Sequence, residues 1–141
     1  MPITVTAPRG VLTDRGEAEV LPRLTDALVE VRGMTGNSFF KSIVGGSVHI
    51  LEPDQIYAAG STAPVMTVEL KLPAIGLSDL DMRRGFIEMA TEIIDELSVA
   101  GHDSFHTWIN VLNAPDGAWG FSGRSWTNDA LVASVAAGAT V

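Results

Sequence analysis

Cysteine is absent from the 141 residues, which excludes disulfides and thiolate chemistry and is compatible with a cytoplasmic home. Cations are scarce: 9 Lys and Arg stand against 17 Asp and Glu, a formal charge of -8. That balance argues against nucleic acid and anionic membranes as partners, because both attract basic patches. It also means that any anionic ligand must rely on a few particular cations. No apolar run approaches the ~20 residues of a membrane-spanning helix, and no basic-then-apolar leader is visible. A P-loop, a dinucleotide fingerprint and a Gly-x-Ser-x-Gly elbow are all missing. No interior linker divides the chain, so a single globular domain over 1–141 is expected. Apolar residues, by contrast, are plentiful: they make up 46% of the chain, and the mean hydropathy is +0.25. Those values are high for a soluble monomer and suggest apolar surface hidden between subunits.

Pro2 directly follows Met1 and opens an apolar-polar alternation, Pro2-Ile3-Thr4-Val5-Thr6-Ala7. Removal of Met1 would turn the proline nitrogen into a free secondary amine. Such an amine titrates at roughly 7.7–8.0 in water, and lower where desolvated, within reach of a general base at neutral pH. The chain also repeats itself. Pro64 again opens a strand, Val65-Met66-Thr67-Val68-Glu69-Leu70-Lys71-Leu72, at an offset of 62 residues (64 minus 2), and the same offset carries Pro53-Asp54 onto Pro115-Asp116 and Tyr57 onto Trp119.

Each copy reads as strand, helix, strand. In the first, a strand from Pro2 to about Pro8 precedes a helix signalled by Thr13-Asp14, with Glu17 completing a capping box. Leu21, Leu24, Leu28 and Val31 share one face of it, Gly33 ends it, and Pro22 is expected to kink it or delay its start. Gly46 to Leu51 is the second strand. The other copy alternates cleanly, with Met66, Val68, Leu70 and Leu72 facing one way and Thr67, Glu69 and Lys71 the other. Ser78 and Asp81 signal a helix with Met82, Phe86, Met89, Ile93 and Leu97 on one face, ended by Gly101. Phe105 to Leu112 is the last long strand, Ala118 to Gly123 a short strand or ribbon, and Thr127-Asn128-Asp129 the cap of a short Ala-rich helix. Right-handed crossovers then give an α+β, two-layer α/β sandwich: tandem βαβ repeats forming a four-stranded sheet with two helices on one face. Repeat one spans about 2–60, repeat two about 64–123, and a tail 124–141. The uncovered face of such a sheet demands a partner.

Two stretches carry a family resemblance. Val48-His49-Ile50-Leu51-Glu52-Pro53-Asp54-Gln55 through Gly60-Ser61-Thr62-Ala63-Pro64 is similar to the Val-His-Val-Val-Pro-Asp-Gln strand and following turn of the tautomerase superfamily, with one residue inserted. Ile109-Asn110 is similar to the Ile-Asn of its last long strand. From Pro2 to about Gly123 the chain resembles that superfamily, and within it the macrophage migration inhibitory factor group. The resemblance implies a homotrimer with the N-terminal proline in a pocket between subunits. It also implies a cofactor-independent tautomerase of enol and 2-oxo acids, with a small-molecule carboxylate or enol as substrate and no metal.

By the same resemblance Pro2 is the catalytic base. Lys41, eight residues before His49, is the substrate-binding lysine, and Asn110 is the pocket asparagine. Trp108 stands where a pocket tyrosine is usual. Arg9 and Lys71 are the other candidate carboxylate-binding cations, set against a surface role for Arg9 and a Lys71–Glu69 ion pair. Trp119 and Phe121 are core or interface aromatics with a candidate pocket role, in a ribbon expected to reach a neighbour's pocket. His102 and His106 have i,i+4 spacing, but Gly101 breaks the helix just before them, so a metal site is not expected. Two alternatives remain at this point. One is a hydratase, dehalogenase or decarboxylase of small unsaturated or oxo acids, against which the missing Gly-Arg pair around Ile75-Gly76-Leu77 weighs. The other is a non-catalytic trimeric binding protein with Met1 retained.

Overall fold

The structure, a computed structural model, describes residues 1–138. The last three residues of the expected tail, 139–141, lie outside the described residues. Four seven-residue strands, β1 (Pro2–Pro8), β2 (Gly45–Leu51), β5 (Met66–Leu72) and β6 (Thr107–Asn113), form one sheet in the order β2-β1-β5-β6. The β1/β2 and β5/β6 pairs are parallel, and the central β1/β5 pair is antiparallel. Helices α1 (Asp14–Val31) and α3 (Leu80–Leu97), 18 residues each, make the two crossovers. Each half therefore has seven strand residues, 18 helical residues and seven strand residues, which is the tandem βαβ architecture. Smaller elements complete the chain: α2 (Ser38–Ser42), the ribbon β3 (Tyr57–Ala58) with β4 (Ser61–Thr62), the hairpin β7 (Trp119–Phe121) with β8 (Arg124–Trp126), and α4 (Asn128–Gly138).

Alternation decides what is buried. Ile3, Val5 and Ala7 of β1 and Met66, Val68, Leu70 and Leu72 of β5 point at the helices and are buried. They meet Leu24 and Leu28 of α1 and Phe86, Ile94 and Leu97 of α3, so the core is the layer between sheet and helices. The opposite parity forms the open face. The strand register lines up His49, Thr6, Thr67 and Trp108 in one row and Ser47, Thr4, Glu69 and Asn110 in the next. This face is richer in hydroxyls and charge than the composition suggested. The apolar Ile109 and Val111 of β6 pack on the helix side, leaving Trp108 (45% exposed) and Leu112 (46%) as the large apolar groups of that strand's outer parity.

The element ends differ from expectation in four places. The cap of α1 is Thr13, whose Oγ1 accepts from the Gly16 amide at 2.9 Å and donates to the Leu97 carbonyl at 3.1 Å. A hydroxyl that also ties α1 to the end of α3 outcompetes the Asp14 carboxylate, which takes a first-turn position instead. The cap of α3 is Asp79 rather than Ser78, its Oδ1 accepting from Met82 N at 2.8 Å. That helix stops at Leu97, and Gly101 lies in the following turn at φ +89°. Pro22 sits inside α1; it is exposed, so water can serve the carbonyl of Ala18 that lacks its amide donor. Pro64 precedes β5 by two residues rather than opening it.

Candidate functional site

A cavity of about 590 Å³ opens where the sheet's central strand begins. Met1 and Pro2 form its floor together with Gly45, Gly46 and Ser47 of the parallel neighbour β2, and Ile43 and Val44 of the preceding loop form one side. Phe39, Trp119 and Phe121 make an aromatic wall. The wall exists because the C-terminal segment folds back on its own chain. Ser122 (φ +53°) and Gly123 (φ +74°) form the two-residue turn between β7 and β8, both left-handed as the right-handed twist of a tight hairpin favours. Phe121 then stacks on Trp126 with ring centroids 4.3 Å apart and planes within 6°. Trp119 meets Phe121 edge-on at 5.2 Å, and Phe39 lies 6.5 Å from Phe121 and 6.1 Å from Trp126. The Arg124 guanidinium lies 3.9 Å from the Trp126 ring centroid. With Phe121 stacked equally close, the two groups must take opposite faces of the indole.

Asn37 anchors this arrangement. It is 5% exposed, accepts from Phe40 N at 2.8 Å to cap α2, and donates through Nδ2 to the Val135 carbonyl of α4 at 2.8 Å. Gly138 completes the contact, since a Cβ there would lie 2.6 Å from Phe39 Cβ. Phe39, Trp126 and Asn37 carry no local sequence signal for this role.

At the floor, Met1 is 6% exposed. Its carbonyl accepts from Gly45 N at 3.2 Å, and its α-amine donates to the Ile43 carbonyl. Burial lowers that amine from an ordinary 8.0 to about 6, because desolvation disfavours the charged form. With Met1 in place the Pro2 nitrogen is an amide and carries no basic lone pair.

Of the residues singled out from sequence, Pro2, Trp119 and Phe121 come together in this cavity. Within the protomer the ribbon walls its own chain's Pro2. The other candidates stand elsewhere in the protomer. Lys41 faces α1, its Nζ 3.5 Å from Asp26. Arg9, at the other end of β1, bonds Glu52 at 2.9 Å. Lys71 lies 3.6 Å from Glu69, as the alternation on β5 suggested; one further register step would set it beside Pro2 on the open face. Trp108 and Asn110 sit on β6, with β5 between them and the strand of Pro2, roughly two interstrand spacings or ~10 Å away. Trp108 Nε1 donates to the Phe105 carbonyl at 3.1 Å. Of the two histidines, His102 pairs through Nε2 with Thr107 Oγ1 at 2.8 Å, and its pKa is lowered chiefly by burial. Among the described residues no helix is long and apolar enough to cross a membrane.

No protein-family model matches the chain, and no curated protein matches it. Solved structures do. A wild-type fused 4-OT described as a symmetric trimer superposes with a TM-score of 0.75, at 17% identity over 93% of this chain and 98% of its own. A member of the cis-3-chloroacrylic acid dehalogenase family gives 0.71, at 16% identity over 89% of this chain and 83% of its own. A macrophage migration inhibitory factor-like protein from Entamoeba histolytica gives 0.68, at 14% identity over 89% and 97%. The fold spans all three groups and does not single out one of them. At identities this low the likeness is one of architecture: the chain shares the tandem βαβ fold of these proteins.

Proposed function

We propose that this protein is a cofactor-independent tautomerase in which Pro2, freed by removal of Met1, moves a proton on a carbon next to a carbonyl. The observation that carries this reading is the place of Pro2. It begins one of the two central strands on the floor of an aromatic-walled cavity, next to Met1, whose own α-amine burial lowers to about 6. Removal of Met1 would place the proline amine at that floor, where partial desolvation favours the neutral form and leaves a lone pair to take a proton. The C–H bond α to the carbonyl breaks as the N–H bond forms. The same proton then returns to the oxygen, or to carbon at the far end of the enolate, so no cofactor or redox partner is consumed.

The kcat/KM of protein lacking Met1 should rise with pH and level off once the Pro2 amine is neutral, because only the neutral amine acts as base. A profile that falls between pH 6 and 8 would show the amine working as an acid and overturn this mechanism.

A trimer, as in the fused 4-OT, gives the distant residues a use. Trp108 and Asn110, exposed on an edge strand, would serve the Pro2 cavity of a neighbour rather than their own, with Asn110 donating to the enol oxygen. Of the candidate cations, Lys71 is the one that the strand register of its own protomer sets beside Pro2, with Glu69 as its carboxylate partner; Lys41 pairs with Asp26 and Arg9 with Glu52. Light scattering at micromolar concentration should report three times 14.9 kDa. A stable monomer would remove Trp108 and Asn110 from any shared site.

A further inference from the structure

Among the described residues no cationic side chain lines the cavity of Pro2, and each of the nine Lys and Arg already touches a partner. Six of the nine Lys and Arg lie within 4.0 Å of a carboxylate. Arg83 donates to the carbonyls of Leu77 and Ser78, Arg32 to Met82 Sδ, and Arg124 covers Trp126. The cation that the register sets nearest Pro2 on the open face is Lys71 of the same protomer, and its pairing with Glu69 leaves that spot without net positive charge. A carboxylate placed against Phe39, Trp119 and Phe121 would lose its hydration with no opposite charge to replace it. An uncharged carbonyl needs much less, one or two hydrogen-bond donors.

The cavity supplies such a donor. Its two side-chain hydroxyls are Ser42 and Ser47, and Ser42 Oγ is occupied, donating to the Phe39 carbonyl at 2.7 Å. Ser47 Oγ lies 2.8 Å from His49 Nε2, two residues along β2 on the same open parity. When Nε2 carries the imidazole proton it donates to Ser47 Oγ, fixes that oxygen, and leaves the hydroxyl proton free to turn into the cavity. Ser47 stands one residue beyond Gly46 on the strand that pairs with β1, beside the floor formed by Pro2.

Building on the tautomerase reading above, we infer that the cavity takes an uncharged aryl carbonyl compound, a ketone, aldehyde or ester, whose oxygen is held by Ser47 with His49 as its positioning residue. Pro2 takes the α proton while the Ser47 hydroxyl stabilises the negative charge that moves onto the oxygen. A carbonyl oxygen accepts two hydrogen bonds, so an Asn110 from a neighbour and Ser47 can act together.

The test reads binding apart from turnover. Methyl cinnamate and cinnamate share one aryl skeleton, differ by the charge, and have no proton on a saturated α carbon. Titrated against processed protein and followed by tryptophan fluorescence, methyl cinnamate should bind at least about tenfold more tightly than cinnamate. Ser47→Ala should weaken it roughly 3–10-fold, the worth of one hydrogen bond, and His49→Ala by less. Tighter binding of cinnamate, no binding of either compound, or an unchanged Ser47→Ala affinity overturns the inference. Ester binding that survives alongside a complete lack of enol turnover would instead sink the proline-base reading and leave this one standing.

Discussion

Protein that keeps Met1 should lose enol tautomerisation by a factor of about 10²–10⁴ relative to protein that begins at Pro2, the range general-base catalysis contributes. Two effects act together. The peptide bond from Met1 removes the lone pair of the Pro2 nitrogen, and the Met1 residue itself fills the floor of the cavity at 6% exposure. Its α-amine is also committed, donating to the Ile43 carbonyl, so it is a poor substitute base despite its lowered pKa. Cleavage both creates the base and vacates space where a substrate's reacting carbon must sit. The comparison needs two preparations separated by intact mass, one from a host deficient in methionine removal, assayed with the enols of both an arylpyruvate and its methyl ester. Equal turnover by both species would exclude Pro2 as the base. A Pro2→Ala chain processed to Ala and retaining full activity would do the same. Binding without turnover in both would favour the reading of a trimer whose chemistry is lost.

Much of this architecture is legible in one dimension because alternation and helical periodicity are local signals of burial. Met66, Val68, Leu70 and Leu72 announce both a strand and the side facing the helices, and all four are buried. Caps are less legible, since several short polar residues stand together at each helix start. Thr13 prevails over Asp14 because its hydroxyl also reaches Leu97, a contact 84 residues away that no local rule contains. The site divides along the same line. Pro2 is marked by its position in the sequence, and Trp119 and Phe121 by being aromatics in a glycine-rich ribbon. Phe39, Trp126 and Asn37 become a wall only when α4 folds back onto α2. Lys41 is legible only as a spacing. Its distance from His49 fits the resemblance, but spacing carries no direction: Asn37 caps the five-residue α2, and within the protomer Lys41 lies 3.5 Å from Asp26.

Two adjacent glycines on β2 should respond in opposite ways to a single added methyl group. At Gly46 a Cβ would stand 2.3 Å from the Ile3 carbonyl oxygen and 2.9 Å from Leu21 Cδ2. The first neighbour is backbone of the central strand and cannot rotate away; the second is packed against the core. Gly46→Ala must therefore push β2 from β1 or tilt α1, and overpacking of that kind costs about 1–3 kcal/mol. At Gly45 a Cβ meets nothing within 4 Å, and no positive φ is recorded there. Gly45→Ala should therefore fall within about 0.5 kcal/mol of the parent, with a small gain from the reduced freedom of the unfolded chain. Urea unfolding at one fixed subunit concentration compares the two, because the midpoint of an oligomer shifts with concentration. The displaced strand also carries Ser47 and forms the floor beside Pro2, so Gly46→Ala should lose ester binding even at temperatures where it remains folded. A Gly46→Ala midpoint equal to that of Gly45→Ala would mean that β1 and β2 approach less closely than their register and the Ile3 carbonyl require.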